Sequence, residues 1–174
     1  MSVLYLSFSK PEYSVNAVYL KGLAQNGILV YPFQIRKKRY QDYLEAWRGY
    51  RKHRREIKTI IIGYDSPELV VLAKLFSRKK IIYNALCSRY ERFIVSRGVA
   101  PWCSLKSLTY WLADFVAVHS ADLIMLETNQ QIKYFRKLFG GSSKKYYRAW
   151  TGADEDKFFY DPQIKKYDVF TVVF

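Results

Sequence analysis

Lys58-Thr59-Ile60-Ile61-Ile62-Gly63-Tyr64-Asp65-Ser66-Pro67-Glu68 is the stretch from which the architecture follows. Lys58 to Gly63 reads as a strand whose apolar residues face both ways, as a central strand of a parallel sheet requires when helices cover its two sides. Asp65-Ser66-Pro67-Glu68 then opens a helix. Ser66 suits the cap, Pro67 the first turn, and Glu68 the positive end of the helix dipole. A buried strand feeding directly into a helix is half of a strand–helix–strand unit.

The same alternation extends outward in both directions. Val3 to Phe8 is a short apolar strand, followed by a helix over about Tyr13 to Gln25 that Asn26-Gly27 stops, Gly being suited to the left-handed cap. Ile28 to Phe33 gives a second strand, ahead of the one quoted above. Lys80 to Ala85 is a fourth and Ala121 to Leu126 a fifth. Glu127-Thr128-Asn129 then leads into a helix ending at Gly140-Gly141, and Lys145 to Trp150 gives a sixth strand. Such repeats impose right-handed crossovers, so the expected class is α/β, a Rossmann-like parallel sheet with helices on both faces. Ligands of these sheets bind beyond the carboxyl ends of the strands. The loops after Phe8, Gly63, Ala85, Leu126 and Trp150 are therefore the ones that carry chemistry.

Composition narrows the setting. With half of its 174 residues apolar, the chain is long and apolar enough to pack one core, which excludes a disordered tail. Leu105 to Val118 is too short for a membrane span and carries Lys106 and Asp114. Met1-Ser2-Val3-Leu4-Tyr5-Leu6 lacks the basic start and cleavage site of a signal peptide and reads as a buried strand. A cytoplasmic protein is expected, with Cys87 and Cys103 as reduced thiols and no metal site. The net charge of +14 calls for a polyanionic neighbour: nucleic acid, an anionic membrane surface or a phosphorylated substrate.

No Gly-x-Gly-x-x-Gly follows the first strand, and no P-loop signature occurs. Ser9 and Lys10 precede a helix N-terminus, where free N–H groups can meet a phosphate; an ordinary solvated turn is the plainer reading. Positive charge gathers in Arg36, Lys37, Lys38, Arg39, Arg48, Arg51, Lys52, Arg54 and Arg55, with Tyr40, Tyr43, Leu44, Trp47 and Tyr50 at helical spacing between them. Such a helix either lies on an anionic bilayer or packs its aromatic stripe on the sheet; contact with nucleic acid ranks below both. Trp102, Leu105, Leu108, Leu112 and Phe115 form a second stripe of helical period. Core packing is its default reading, with Trp102 as a candidate membrane-facing tip. His119 at a helix end and His53 in the basic run read as structural and solvated, and no catalytic triad or paired carboxylates stand out.

In the second half of the chain Ser120-Ala121-Asp122-Leu123-Ile124-Met125-Leu126-Glu127-Thr128 is followed by Trp150-Thr151-Gly152-Ala153-Asp154 with Phe158-Phe159, and then by Asp161-Pro162. In these segments the chain resembles the GT-B glycosyltransferases, family 4 in particular. Their order matches that family's Ala-Asp strand and its Asn-Gly-Val-Asp…Phe signature. The resemblance implies one half of a GT-B architecture: residues 1–160 as the N-terminal, acceptor-side domain, and residues 161–174 as a linker with the first strand of a C-terminal donor domain. Asp168 to Phe174 reads as that new strand, or alternatively as a strand completing the first sheet. The implied reaction is retaining transfer from a nucleotide-sugar, without a metal, the donor and the Glu-x7-Glu motif belonging to the missing C-terminal domain. No cofactor is expected in this one.

The sequence departs from the family in two places. Ser9-Lys10-Pro11 replaces the usual Gly-Gly pair, and Asn84-Ala85-Leu86-Cys87-Ser88 replaces the frequent His-Asp. Acceptor binding is accordingly expected from Ser9, Lys10, Asn16, Asn84, Ser88, Arg89 and Glu91, with no general base assigned. The basic, aromatic segment Arg36 to Lys58 motivates the expectation of a lipid-linked or polysaccharide-precursor acceptor, met at the inner face of a membrane. The rivals are a non-catalytic Rossmann-like module that binds RNA or another polyanion, and a complete small α/β enzyme.

Overall fold

The computed structural model describes residues 2–36, 39–163 and 168–169. Six strands form one sheet: β1 Ser2–Ser7, β2 Leu29–Gln34, β3 Ile57–Ile62, β4 Lys80–Leu86, β5 Leu123–Leu126 and β6 Tyr146–Arg148. The helices are α1 Ser14–Gln25, α2 Tyr40–His53, α3 Pro67–Phe76, α4 Leu105–Ser120 and α5 Asn129–Phe139. A π-helical stretch, Glu91–Ser96, lies between β4 and α4. The strands lie in the order β2-β1-β3-β4-β5-β6, and all five pairings are parallel.

Right-handed crossovers fix where the helices go. The chain moves one way along the sheet from β1 to β2 and the other way from β2 onward. This sets α1 on one face and α2 to α5 on the other. The side chains agree. Leu4 and Leu6 of β1 join Ile60, Ile62, Ile81, Tyr83, Ile124 and Leu126 in the main core, beside Ala46 and Tyr50 of α2, Leu69 and Val70 of α3, Val118 of α4 and Phe135 of α5. The intervening Tyr5 points to the other face, where its hydroxyl donates to Oδ1 of Asn16 in α1 at 2.9 Å. The Rossmann-like α/β sheet with helices on both faces is therefore what the chain forms.

Local signals act as their chemistry dictates, with two corrections. Gly27 holds φ of 69° after α1, and Thr128 with Gln131 closes a reciprocal capping box on α5. Ser66 stands at the start of α3 but does not cap it. Its hydroxyl donates to the Tyr64 carbonyl at 3.1 Å and accepts from the Phe8 N–H at 2.9 Å, tying the β3 loop to the β1 loop. The second correction concerns α4. The stripe Trp102, Leu105, Leu108 and Leu112, assigned to the core by its period, is exposed, whereas Ser107, Asp114, Ala117 and Val118 are buried. Phe115 alone of that stripe packs against the core. A helical period locates an apolar face; it does not say whether anything covers it. The expected strand over Asp168 to Phe174, and Lys37 and Lys38 of the basic run, fall wholly or mainly outside the described residues.

Gly63 marks where the two faces crowd together. A Cβ there would lie 2.9 Å from Asn16 Oδ1 and from Ser7 Cβ, and 3.0 Å from the Tyr5 ring. Gly63→Ala is expected to lower stability by about 1–3 kcal/mol through overpacking, measured by urea denaturation. A variant as stable as the parent would contradict this close approach.

Candidate functional site

Connections leave β1 and β3, adjacent in the sheet, in opposite directions. Their carboxyl ends are thus the topological switch point, where sheets of this kind open a crevice. Asn16 builds this edge from beneath. It is fully buried, and its Nδ2 donates to the Lys10 carbonyl at 3.1 Å and approaches Ser7 Oγ at 3.4 Å. With Oδ1 taken by Tyr5, Asn16 shapes the first loop from inside. Beyond it lies an open hollow of about 510 Å³ lined by Phe8, Ser9, Lys10, Glu12, Tyr13 and Gln34. Lys10 is exposed at its rim, and the first turn of α1 contains no acidic residue. A hydroxyl-rich group entering there meets the Lys10 cation, the Glu12 carboxylate and the positive end of a helix.

A wall of paired groups continues from this hollow toward β4. The Tyr13 and Tyr64 rings stack with centroids 6.2 Å apart. Arg92 donates to the Tyr64 hydroxyl at 2.5 Å and lies over the Phe93 ring, 4.4 Å from its centroid. Asp65, in the left-handed region at φ 58°, is held by two arginines: Arg89 Nε at 3.2 Å and Arg92 Nη2 at 2.6 Å. Arg89 also forms a bidentate pair with Glu68 on α3. Burial pushes the Tyr64 hydroxyl up to about 12 and raises the Cys87 thiol, so both stay protonated at neutral pH. Neither is poised as a nucleophile.

The sequence-expected residues therefore separate into groups. Ser9 and Lys10 share the hollow. Ser88 and Arg89 are spent inside the protein: Ser88 Oγ accepts from the Glu91 N–H at 2.8 Å, and Arg89 is buried in its ion pairs. Asn84 is buried at the end of β4, and its Nδ2 has no hydrogen-bond partner among the described residues. Glu91 lies elsewhere, in a hollow of about 440 Å³ shared with Gln131, Lys133, Tyr134 and Lys137. Burial raises its carboxyl pKa, and Oε2 has no hydrogen-bond partner among the described residues. Tyr64, Asp65 and Arg92 were not singled out from the sequence, because Asp65 read only as the approach to a helix. Among the described residues, no cluster of His, Cys, Asp and Glu could hold a metal ion.

The basic helix α2 also divides. Arg36 donates to Asp42 from Nε at 2.7 Å and from Nη2 at 2.9 Å, and Arg39 lies 3.6 Å from the same carboxylate. These contacts, Arg36 foremost, pull the Asp42 carboxyl down to about 2. Arg48, Arg51, Lys52, Arg54 and Arg55 stay exposed, with Arg51 over the Trp47 ring at 4.8 Å. Tyr43 and Tyr50 turn to the core while Tyr40, Leu44 and Trp47 face solvent, so the aromatic stripe is split between the two readings.

Asp114 of α4 supports the β4 loop by accepting the Tyr90 N–H at 2.9 Å. Burial lifts its carboxyl from an ordinary 3.8 to about 6. The folded state thus holds this proton more tightly than the unfolded chain. The stability gained is complete below pH about 3.8 and is lost as the pH rises through about 6. Asp114→Asn keeps an acceptor for Tyr90 and removes the ionisation. It is expected to flatten the dependence of the urea midpoint on pH across that window; parallel profiles for variant and parent would contradict the assignment.

No family model matches the chain, and no curated protein matches it in sequence. A solved structure does match in shape: Anabaena Alr3699/HepE in complex with UDP, at a TM-score of 0.54 and 16% identity, over 93% of this chain and 47% of that one. The chain thus has the fold of one half of a GT-B architecture and spans about half the length of that protein.

Proposed function

We propose that this chain is the acceptor-side domain of a GT-B glycosyltransferase, which moves a sugar from a nucleotide-sugar to a lipid-linked or polysaccharide-precursor acceptor. The observation that carries the reading is the match of nearly the whole chain to half of a protein whose structure holds UDP, the nucleotide that a UDP-sugar donor leaves behind. The family 4 resemblance of Ser120 to Leu126, Trp150 to Asp154 and Asp161-Pro162 supports it from the sequence side. On this reading the hollow around Ser9 and Lys10 faces the acceptor. Asn84, whose buried Nδ2 has no partner among the described residues, suits an ordered water beneath the acceptor side. The Asp65–Arg89–Arg92 wall holds the β3 and β4 loops in fixed relation.

Transfer on this fold needs donor and acceptor held in line, and half the architecture supplies half of that positioning. The chain after β6 runs back to α1, where Lys21 pairs with Asp154 and Asp156 at 2.6 Å each. Trp150, Phe158, Phe159 and Tyr160 remain exposed along it. These aromatics suit the seat of a donor domain beyond residue 160, and a donor domain would supply the acidic residues that face the sugar.

Purified residues 1–174 are expected to release no UDP from UDP-sugars above the uncatalysed background, in the presence or absence of membrane extract. Measurable turnover by this chain alone would overturn the division of labour. The rival polyanion-binding reading makes a different demand: steeply salt-dependent RNA binding. An electrophoretic mobility assay that shows it, with no response to lipid, would favour that reading.

A further inference from the structure

The outer surface of α3 and α4 is an apolar face that the fold leaves uncovered. Trp102 and Leu105 are 80% and 77% exposed, and Leu75 at the end of α3 is 80% exposed. Leu108, Leu112 and Val116 continue the stripe along α4, over about 16 Å from Leu105 to Val116. Between the two helices runs an open groove of about 550 Å³, lined by Val71, Leu72, Leu75, Leu112, Ala113 and Val116, with Pro67, Glu68 and Thr109 at its upper end. Isolated exposed leucines are ordinary, but a continuous apolar groove beside an apolar stripe marks a docking surface.

Charge identifies the occupant. The exposed ionisable side chains on α3 and α4 are Lys74, Lys106, His119 and Glu68; Glu68 is paired with Arg89, and Lys74 lies 3.4 Å from Asp122. Helix α2 belongs to the same layer: its Tyr50 hydroxyl accepts from Ser77 Oγ at 2.8 Å, and its Tyr50 ring packs on Phe76 of α3 at 5.3 Å. From that helix this side of the sheet gains Leu44, Trp47, Arg48, Arg51 and Lys52, all exposed, together with one exposed carboxylate, Glu45. Apolar side chains flanked by cations that outnumber the exposed carboxylates suit anionic lipid: leucines and tryptophan enter the acyl boundary, and lysines and arginines meet phosphates.

We infer that the α2–α3–α4 layer docks on an anionic bilayer, with the α3–α4 groove receiving a lipid chain. This deepens the membrane part of the function proposed above. Both α3 and α4 begin at the carboxyl edge of the sheet. The groove's upper end is Glu68, the residue that also holds Arg89 in the wall of the cleft. A lipid-anchored acceptor seated in the groove would therefore present its headgroup toward the β3 and β4 loops.

Flotation of residues 1–174 with phosphatidylglycerol vesicles, and with neutral phosphatidylcholine vesicles, tests the inference. The parent chain is expected to float with the anionic vesicles at low salt. Leu105→Glu combined with Leu112→Glu, at two exposed positions, is expected to lower the bound fraction about tenfold or more while the far-UV melting curve is unchanged. Replacing Leu105 and Leu112 by Met, which keeps the face apolar, is expected to retain binding. Equal flotation of the double Glu variant, or no flotation of the parent, would overturn the inference. So would a parent that stays off vesicles and forms a dimer that the double Glu variant loses, since the face would then join two copies. None of these results bears on UDP-sugar turnover, so docking and transfer fail separately.

Discussion

Every strand pairing in this sheet is parallel, and the connections reverse direction only between β1 and β3. Each helix therefore begins at the same edge, and the loops that leave the strands gather there. The reversal leaves a gap between two adjacent loops that no crossover can cover. The rest of the arrangement adjusts to that gap. Gly63 lets β3 pass Asn16 and Ser7 at a distance no side chain would allow. Asn16 holds the first loop from below, and the Tyr13–Tyr64 stack bridges it from above.

Ion pairing then extends rigidity from the gap to the β4 loop. Asp65 takes up a left-handed backbone conformation, uncommon for a residue with a side chain, and places its carboxylate between two guanidinium groups. Removing one partner would leave buried charge unsatisfied, which costs more than the pair contributes when intact. Such a network fixes geometry, and fixed geometry at the mouth of a cleft is what binding any ligand in one orientation requires.

Much of the fold was legible because its signals are local. Ile60-Ile61-Ile62 can only be a strand covered on both sides, and Pro67 with Glu68 can only open a helix there. Asn26-Gly27 stops α1 by backbone conformation alone. The site was less legible, because its residues acquire their roles from partners distant in sequence. Nothing near Arg89 shows that Glu68 will consume it. Asp65 and Arg92 are 27 positions apart by their numbers and meet only after β3 and β4 pair. The α4 stripe misled for the opposite reason: its period was right, but coverage is a property of the assembled layer.

Two surfaces result, a polar edge at the switch point and an apolar outer face, and the Glu68–Arg89 pair lies between them. The central claim is that this domain supplies one side of a two-domain sugar transferase. The most direct test is to read the parent gene past the codon for Phe174. The account expects a second strand–helix domain with a Gly-rich loop and two glutamates separated by seven residues. An immediate stop codon would contradict it and leave a self-contained module for binding polyanions.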